Sequence, residues 1–305
     1  MTEPAVTVLI PAYRSDERLV RTLLSIQRQT HTPAVVELSF DAAPGHTPPA
    51  LPAVHGLRVR HQPRQLGWTA HVNRLLELVS TPYFLLLYHD DALSPEYVRR
   101  AVTALEADPA AVVAHGAVRY HGLRSDVVAT ESIRGESLDR VREFLRRGPT
   151  SAELAQRGVV RSTVLASGIH FRTRRSDGMF ANTLWSLELL LFGDAIAVPG
   201  EYYDKFLDGD GLSRAYHGRG REERSRMLAE SVANVAALLA ERGVAGPAIE
   251  GLSRKWAEWV LGLQGNWNVL WDEPSSDVRQ VSEVRSAFAA FVADVAASLV
   301  TPPRR

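Results

Sequence analysis

Nine consecutive residues, Tyr83-Phe84-Leu85-Leu86-Leu87-Tyr88-His89-Asp90-Asp91, constrain this chain more than any other stretch. Five apolar residues bounded by Pro82 and by an acidic pair read as a strand buried on both faces, the kind found inside a parallel sheet. Such a strand delivers Asp90 and Asp91 to the carboxyl edge of the sheet, where open α/β sheets bind ligands. Hard divalent cations take oxygen ligands, commonly one or two carboxylates plus substrate phosphates. The pair therefore reads either as a metal–diphosphate site or as the cap of a helix beginning near Leu93-Ser94-Pro95-Glu96.

The surrounding pattern places this strand in a series. Val6-Thr7-Val8-Leu9-Ile10 is a β-branched strand that Pro11 is expected to stop. Ser15 or Asp16 is placed to cap a helix carrying Leu19, Leu23, Leu24 and Ile26. Val35–Phe40 forms a second strand ending at Asp41, a Pro/Gly/His-rich loop runs from Ala42 to Pro52, and Leu57–Arg60 is a short third strand. Gln65-Leu66-Gly67 turns into a helix with Val72, Leu75, Leu76 and Val79. After the acidic edge come a helix over about 95–107 and the strand Ala111–Ala114. Strands alternating with helices predict a right-handed, mostly parallel sheet. Tyr13, Asp41 and Asp90-Asp91 then share one edge, across which a nucleotide would lie.

Beyond residue 120 the signals thin. Residues 121–163 read as a polar, Arg-rich loop with a helix over about Leu138 to Arg147. Val164–Phe171 and Ala195–Pro199 read as strands, Asn182 to Phe192 as a helix, and Asp208-Gly209-Asp210-Gly211 as a turn. From about 221 three helical patterns follow, Glu222–Arg242, Ala248–Leu270 and Ser276–Leu299, with Trp256, Trp259, Trp267 and Trp271 near one face and expected to pack inward. The expected division is a domain over 1–218, in two halves meeting at about 120, then a helical subdomain over 219–305.

Composition excludes several classes. Zero formal net charge over 305 residues gives no support to nucleic-acid binding. With no cysteine there are no disulfides, thiolate metal sites or cysteine nucleophiles. That composition, with an N-terminus lacking a basic and apolar leader, fits a cytoplasmic protein, and no apolar run is long enough for a membrane span. There is no Gly-rich phosphate loop, no His-Glu-x-x-His and no Gly-x-Ser-x-Gly. The run Arg172-Thr173-Arg174-Arg175 reads either as a contact for a diphosphate or anionic acceptor or as a solvated face.

Taken in order, several pieces resemble the inverting nucleotide-sugar glycosyltransferases of family 2, which have the GT-A fold. Val8-Leu9-Ile10-Pro11-Ala12-Tyr13 is similar to the opening strand motif, and Leu23–Thr30 to the first helix and its exit. Asp41 matches the second acidic residue of an Asp-Asp-Gly-Ser turn. Gln65-Leu66-Gly67 and Asn73 match Asn-x-Gly and Arg-Asn positions, and Tyr88-His89-Asp90-Asp91 falls on the Asp-x-Asp metal motif. The resemblance covers residues 5–120 well and 164–214 loosely.

It implies an α/β GT-A fold, Rossmann-like with a mostly parallel central sheet, whose half to about 120 takes the nucleotide sugar and whose half from 121 to 218 takes the acceptor; the all-helical C-terminal part, read from its own periodicity, lies outside the resemblance. It implies transfer of a sugar, with inversion, from a UDP, dTDP or GDP sugar to a hydroxyl of a small-molecule, saccharide or carrier acceptor. The implied substrate-binding positions are Pro11, Ala12, Tyr13, Arg14, Asp41, Gly67, Asn73 and Asp90. Asp90 and Asp91 are the implied ligands of Mg²⁺ or Mn²⁺, with Asp208 at the place of the His that completes the family's metal shell and Asp210 and His217 as rivals. The sequence departs from the pattern at Tyr88, at Phe40 and Ala42-Ala43, and at the base: after Gly178-Met179-Phe180 the catalytic Asp position falls on Asn182 or Ser186. Glu188, in an apolar helix, and Asp177 are the nearest carboxylates. Glu188 is the expected base, its alternative being an outward-facing or Arg-paired carboxylate. Two other readings follow from the same residues: a transferase-like binding protein that has lost its base, and a scaffold that forms a homodimer or binds a partner through the helical C-terminus.

Overall fold

The computed structural model describes residues 4–129, 131–148, 156–172, 180–207 and 221–261. The first half alternates as the pattern predicts: β1 (Val6–Ala12), α1 (Glu17–Gln27), β2 (Val35–Phe40), β3 (Leu57–His61), α2 (Trp68–Leu76), β4 (Tyr83–Leu86), β5 (Ala92–Leu93) and α3 (Tyr97–Ala107). β6 (Ala111–Gly122), β7 (Val127–Val128), α4 (Ser137–Arg147), β8 (Val159–Arg161) and a 3₁₀ turn (Ser162–Ser167) follow. The remaining elements are α5 (Ala181–Phe192), β9 (Asp194–Leu207), α6 (Arg221–Glu241) and α7 (Gly246–Leu261).

The strands form one sheet in the order β3-β2-β1-β4-β8-β6-β9-β5, with β7 on the edge of β6. β3, β2, β1 and β4 run parallel. β8 is antiparallel to both β4 and β6, β6 and β9 are parallel, and β5 is antiparallel to β9. The apolar run of β4 is explained by burial on both faces. Phe84 and Leu86 enter a core shared with α2, α4, α5, α6 and α7, while Tyr83, Leu85 and Leu87 enter a second core beneath α1 and α3. Asp16 is the residue that caps α1, its carboxylate accepting from the Arg18 N–H at 2.9 Å.

Four expectations are corrected. Pro11 does not stop β1, which continues to Ala12 with Pro11 opposite Ser39 of β2. The Leu9 carbonyl accepts from Leu87 on the β4 side, so Pro11 also presents its donor-less nitrogen there, beyond the last β4 pair at Leu86. Val164–Phe171 is not a strand; Gly168, at φ +74°, closes a 3₁₀ turn in its place. Asp91 caps no helix, because it leads directly into β5 and α3 begins only at Tyr97. The strand expected over Ala195–Pro199 is the start of the much longer β9, which pairs β6 along most of its length. Gly116 allows that pairing at an irregularity in β6, since a Cβ there would lie 2.4 Å from the Glu201 carbonyl oxygen.

The helices from 221 onward do not stand apart from the sheet. Met227, Val232, Val235, Leu238, Leu239, Leu252 and Trp256 belong to the same core as Leu9 and Phe84, and Trp256 is 0% exposed. Trp259 packs on Trp256 and on Phe180. Trp267, Trp271 and the third helical pattern lie outside the described residues. No helix among the described residues is long and apolar enough to cross a membrane.

Candidate active site

The carboxyl ends of β1, β2 and β4 form the floor of the candidate site. Beyond Ala12, Tyr13 is half-buried and Arg14 is exposed with φ +47°. A side-chain-bearing residue in this left-handed region is strained, and such strain gathers at functional edges. The guanidinium of Arg14 lies 5.3 Å from the centre of the Tyr13 ring. β2 is joined to β1 past its end, where the Asp41 N–H donates to the Ala12 carbonyl at 2.8 Å.

Asp41 is buried, and its carboxylate is occupied by backbone. Oδ1 accepts from the N–H groups of Ala42 at 3.0 Å and Leu66 at 2.8 Å, and Oδ2 from that of Gly67 at 2.9 Å. It fixes the turn into α2, in which Gly67 adopts φ +78°, a conformation that suits glycine. Behind it, Ser39 Oγ accepts from the Gln62 amide at 3.0 Å and lies 2.8 Å from His71 Nε2. Burial holds the His71 pKa below its ordinary value, against the opposing pull of Asp41. His71 also senses His89, so the ends of β2 and β4 converge on one electrostatic neighbourhood.

At the end of β4 the two carboxylates part company. Asp90 is half-buried, with its carbonyl accepting from Arg21 Nη2 at 2.8 Å. Asp91 is 3% exposed; its carbonyl accepts from Thr22 Oγ1 at 2.7 Å and its Oδ1 from the Phe206 N–H at 3.2 Å. Burial, and then the charge of Asp90, push the Asp91 carboxyl up to about 7. His89 is bonded to the Pro11 backbone, and burial lowers its pKa despite Asp90.

Sequence reasoning did not find the ring cluster beside this pair. The Arg21 guanidinium lies 3.4 Å over the Phe206 ring, on which His121 stacks at 4.5 Å; His121 Nε2 meets Asp204 Oδ1 at 2.7 Å. Alternation of Tyr202, Asp204 and Phe206 along β9 was the available signal. A cavity of about 140 Å³ at the ends of β1, β2 and β3 was missed as well. Arg14, Phe40, Asp41, His46, His61 and Gln62 are among its lining residues.

Three of the expected site residues serve architecture. Pro11 and Ala12 are buried inside β1. The Asn73 amide pairs with one peptide group, donating to the Phe171 carbonyl at 2.8 Å and accepting from the Phe171 N–H at 2.7 Å, so it is committed to holding residue 171 on α2. Glu188 is corrected as a candidate base. It is 0% exposed, accepts from Arg172 Nη2 at 2.8 Å and Arg242 Nε at 3.0 Å, and so is an anion held by two cations inside the core. Arg172 reaches on to Glu241, and Arg242 Nη1 to the Ser167 carbonyl at 2.7 Å. Ser186 is buried with its hydroxyl bonded to the Asn182 carbonyl at 3.1 Å. Asp177, Asp208, Asp210 and His217 lie outside the described residues. Among the described residues no group of three His, Asp or Glu is arranged to hold a metal.

In chemistry the half-buried Asp90 nonetheless fits Mg²⁺ or Mn²⁺, a hard carboxylate at a sheet edge where a diphosphate would supply further oxygens, whereas Asp91 beside it is buried with Oδ1 already accepting from the Phe206 N–H.

Comparisons with known proteins agree with this architecture. Residues 7–158 match the family described as Glycosyl transferase family 2. No curated protein matches the sequence. Among solved structures, S. aureus TarS 1–349 in complex with UDP-GlcNAc is similar at TM-score 0.66 and 14% identity, over 97% of this chain and 84% of that one. The mannosyltransferase PcManGT from Pyrobaculum calidifontis, in complex with GDP-Man and Mn²⁺, gives TM-score 0.54 and 16% identity over 99% and 82%. At these identities the likeness is one of fold.

Proposed function

From a chain whose residues 7–158 form a glycosyltransferase family 2 domain with the GT-A fold, we propose a transferase that takes a sugar, with inversion, from a nucleoside-diphosphate sugar to an acceptor hydroxyl. The observation that carries the reading is the convergence of the β1, β2 and β4 ends, which brings Arg14, the cavity beside Asp41 and the half-buried Asp90 onto one edge. TarS and PcManGT, with UDP-GlcNAc and GDP-Man bound in this fold, support it. In this reading Tyr13 and Arg14 face the nucleoside, and Asp41 holds the turn above it rather than the base itself. Asp90 would hold Mg²⁺ or Mn²⁺ against the diphosphate, with Asp91 or Asp208 as further oxygen ligands. The cation, when bound, supplies Lewis-acid neutralisation of the charge on a departing diphosphate. Arg21 fixes the Asp90 backbone, and Thr22 that of Asp91, so the carboxylates are aimed before substrate arrives.

A second reading is favoured by one observation: the carboxylate nearest the expected base position, Glu188, is consumed by Arg172 and Arg242. In that reading the chain binds a nucleotide sugar without transferring it. Donor turnover separates the two. Release of nucleoside diphosphate from UDP and GDP sugars, dependent on Mn²⁺ and lost in Asp90→Asn, supports the transferase. Stoichiometric binding with no release over hours supports the binding protein.

A further inference from the structure

We propose that His121, oriented by Asp204, is the base that takes the proton of the acceptor hydroxyl. This rests on the transferase reading and supplies a group which that reading lacks. At the expected base position stand Asn182 and Ser186, neither of them basic, and Glu188 is held by Arg172 and Arg242.

Place is the first argument. β8 is antiparallel to both β4 and β6, and β9 is parallel to β6, so the carboxyl ends of β6 and β9 lie on the edge that carries Asp90 and Asp91. His121 stands near the end of β6, opposite Phe206 near the end of β9, and the two rings stack at 4.5 Å. The Phe206 N–H donates to Asp91 Oδ1, and Arg21, over the Phe206 ring, donates to the Asp90 carbonyl. Phe206 thus links His121 to the acidic pair. Unlike the fully buried Glu188, the His121 side chain is 37% exposed, so an acceptor can reach it.

Orientation is the second argument. His121 Nε2 lies 2.7 Å from Asp204 Oδ1. A carboxylate only accepts, so in the neutral imidazole Nε2 carries the proton and Nδ1 keeps its lone pair. A base held by a third group is the arrangement by which side chains are prepared for proton transfer. Asp204 is itself fixed: Arg119 Nε donates to its Oδ1 at 2.5 Å and Nη2 to its Oδ2 at 2.9 Å, and Arg119 lies over the Tyr202 ring. The register explains the grouping. Arg119 faces Asp204 and His121 faces Phe206, so alternate residues of the two strands share one face. Two other imidazoles at this edge are already engaged, His71 with Ser39 and His89 with the Pro11 backbone.

The step balances as follows. The acceptor oxygen forms a bond to the anomeric carbon while the bond from that carbon to the diphosphate oxygen breaks. The departing oxygen keeps the electron pair, and the hydroxyl proton passes to His121 Nδ1. The imidazolium so formed lies against the Asp204 carboxylate, which stabilises it, and the proton leaves to solvent from the exposed part of the ring. General base catalysis of this kind contributes about 10²–10⁴-fold in rate.

The test is release of nucleoside diphosphate from UDP-GlcNAc and GDP-Man in Mn²⁺, with water as the acceptor, by the full chain and by His121→Gln, His121→Ala and Asp204→Asn. Calorimetric titration of UDP and GDP on the same samples reports binding apart from turnover. Both His121 variants should lose about a hundredfold in kcat, with donor KM and nucleotide affinity within about threefold of the parent. Added imidazole should restore His121→Ala about tenfold by entering the space beside Phe206, and should leave His121→Gln unchanged. Asp204→Asn, which lets the ring turn its proton the other way, should lower kcat about tenfold at unchanged KM. A folded His121→Gln with kcat within about threefold of the parent overturns the inference, as does a His121→Ala that imidazole does not rescue. So does a fall in kcat matched by a fall in nucleotide affinity, which would make the pair a fastener. A parent chain that binds nucleotide but releases nothing over hours defeats the base and the transferase reading together, whereas one that binds no nucleotide defeats the nucleotide-sugar reading beneath both.

Discussion

At the ends of β1, β2 and β4, polar side chains stand half-open beside a cavity, and one backbone position, Arg14, is held in a strained conformation. Across the sheet, around α5, β6 and α6, the buried charges are paired within the chain, Glu188 with two guanidiniums and Arg140 with Asp194, and His115 meets the Gly116 carbonyl at 3.3 Å, although the neutral Trp185 Nε1 and Asn234 Nδ2 have no partner there. Both regions carry charged residues in an apolar setting. Where partners within the chain consume every charge, the region is a fastener. Where polar groups are left facing space, the region is a site.

The comparison breaks first at Glu188. Glu188→Ala leaves Arg172 and Arg242 facing a void. Losing one side of a buried pair costs about 3–5 kcal/mol, and the lower end is expected because Arg242 keeps 20% side-chain exposure. Chemical denaturation should show this loss, while donor turnover per folded molecule in the milder Glu188→Gln stays within about threefold of the parent. A folded Glu188→Gln with turnover reduced a hundredfold would return Glu188 to the role of base.

His115 sharpens the contrast through pH. Burial depresses its pKa from 6.5 to about 4. Between those values the unfolded chain binds a proton that the folded chain refuses, so stability is full above about pH 6.5 and falls as pH drops toward 4. The loss is at most about 3.5 kcal/mol, from ~1.4 kcal/mol per pKa unit. Denaturant midpoints at pH 7 and pH 4.5 measure it, and His115→Asn should reduce the difference between them.

Asn73→Ala removes two hydrogen bonds to the Phe171 peptide and should cost about 1–3 kcal/mol. Nucleotide affinity should be unchanged if Asn73 is a fastener; a tenfold loss of affinity with the melting temperature intact would make it part of the site. The smallest effect has the opposite sign. Arg14→Gly relieves the strain at φ +47° and should stabilise the fold by about 0.5–1 kcal/mol while weakening nucleotide binding. Thermal midpoints and titrations on the same samples show whether stability and binding move in opposite directions there.

The same contrast explains what the sequence made legible. Tyr83–Leu87 and Val6–Ile10 are readable because strands buried on both faces leave an unbroken apolar run, and the intervening amphipathic helices follow from their spacing. Val164–Phe171 misleads because an apolar stretch carries no sign of Gly168 turning left-handed in its middle. β9 is readable only at its start, since Pro199-Gly200 resembles a stop while its polar half, Glu201 to Lys205, is held by pairing to β6. Asn73 and Glu188 show the limit at the site. Their residue types suit binding and proton transfer, but the groups that occupy them sit 98 residues away at Phe171 and 54 away at Arg242.

The most direct test of the central claim is a titration of the parent chain and of Asp90→Asn with UDP, with and without Mn²⁺. The account predicts that Mn²⁺ strengthens UDP binding to the parent, and that Asp90→Asn loses at least tenfold in affinity and its response to Mn²⁺ while melting at the same temperature. Equal affinity and equal Mn²⁺ response in a folded Asp90→Asn would contradict the assignment of the β1–β4 edge as the donor site.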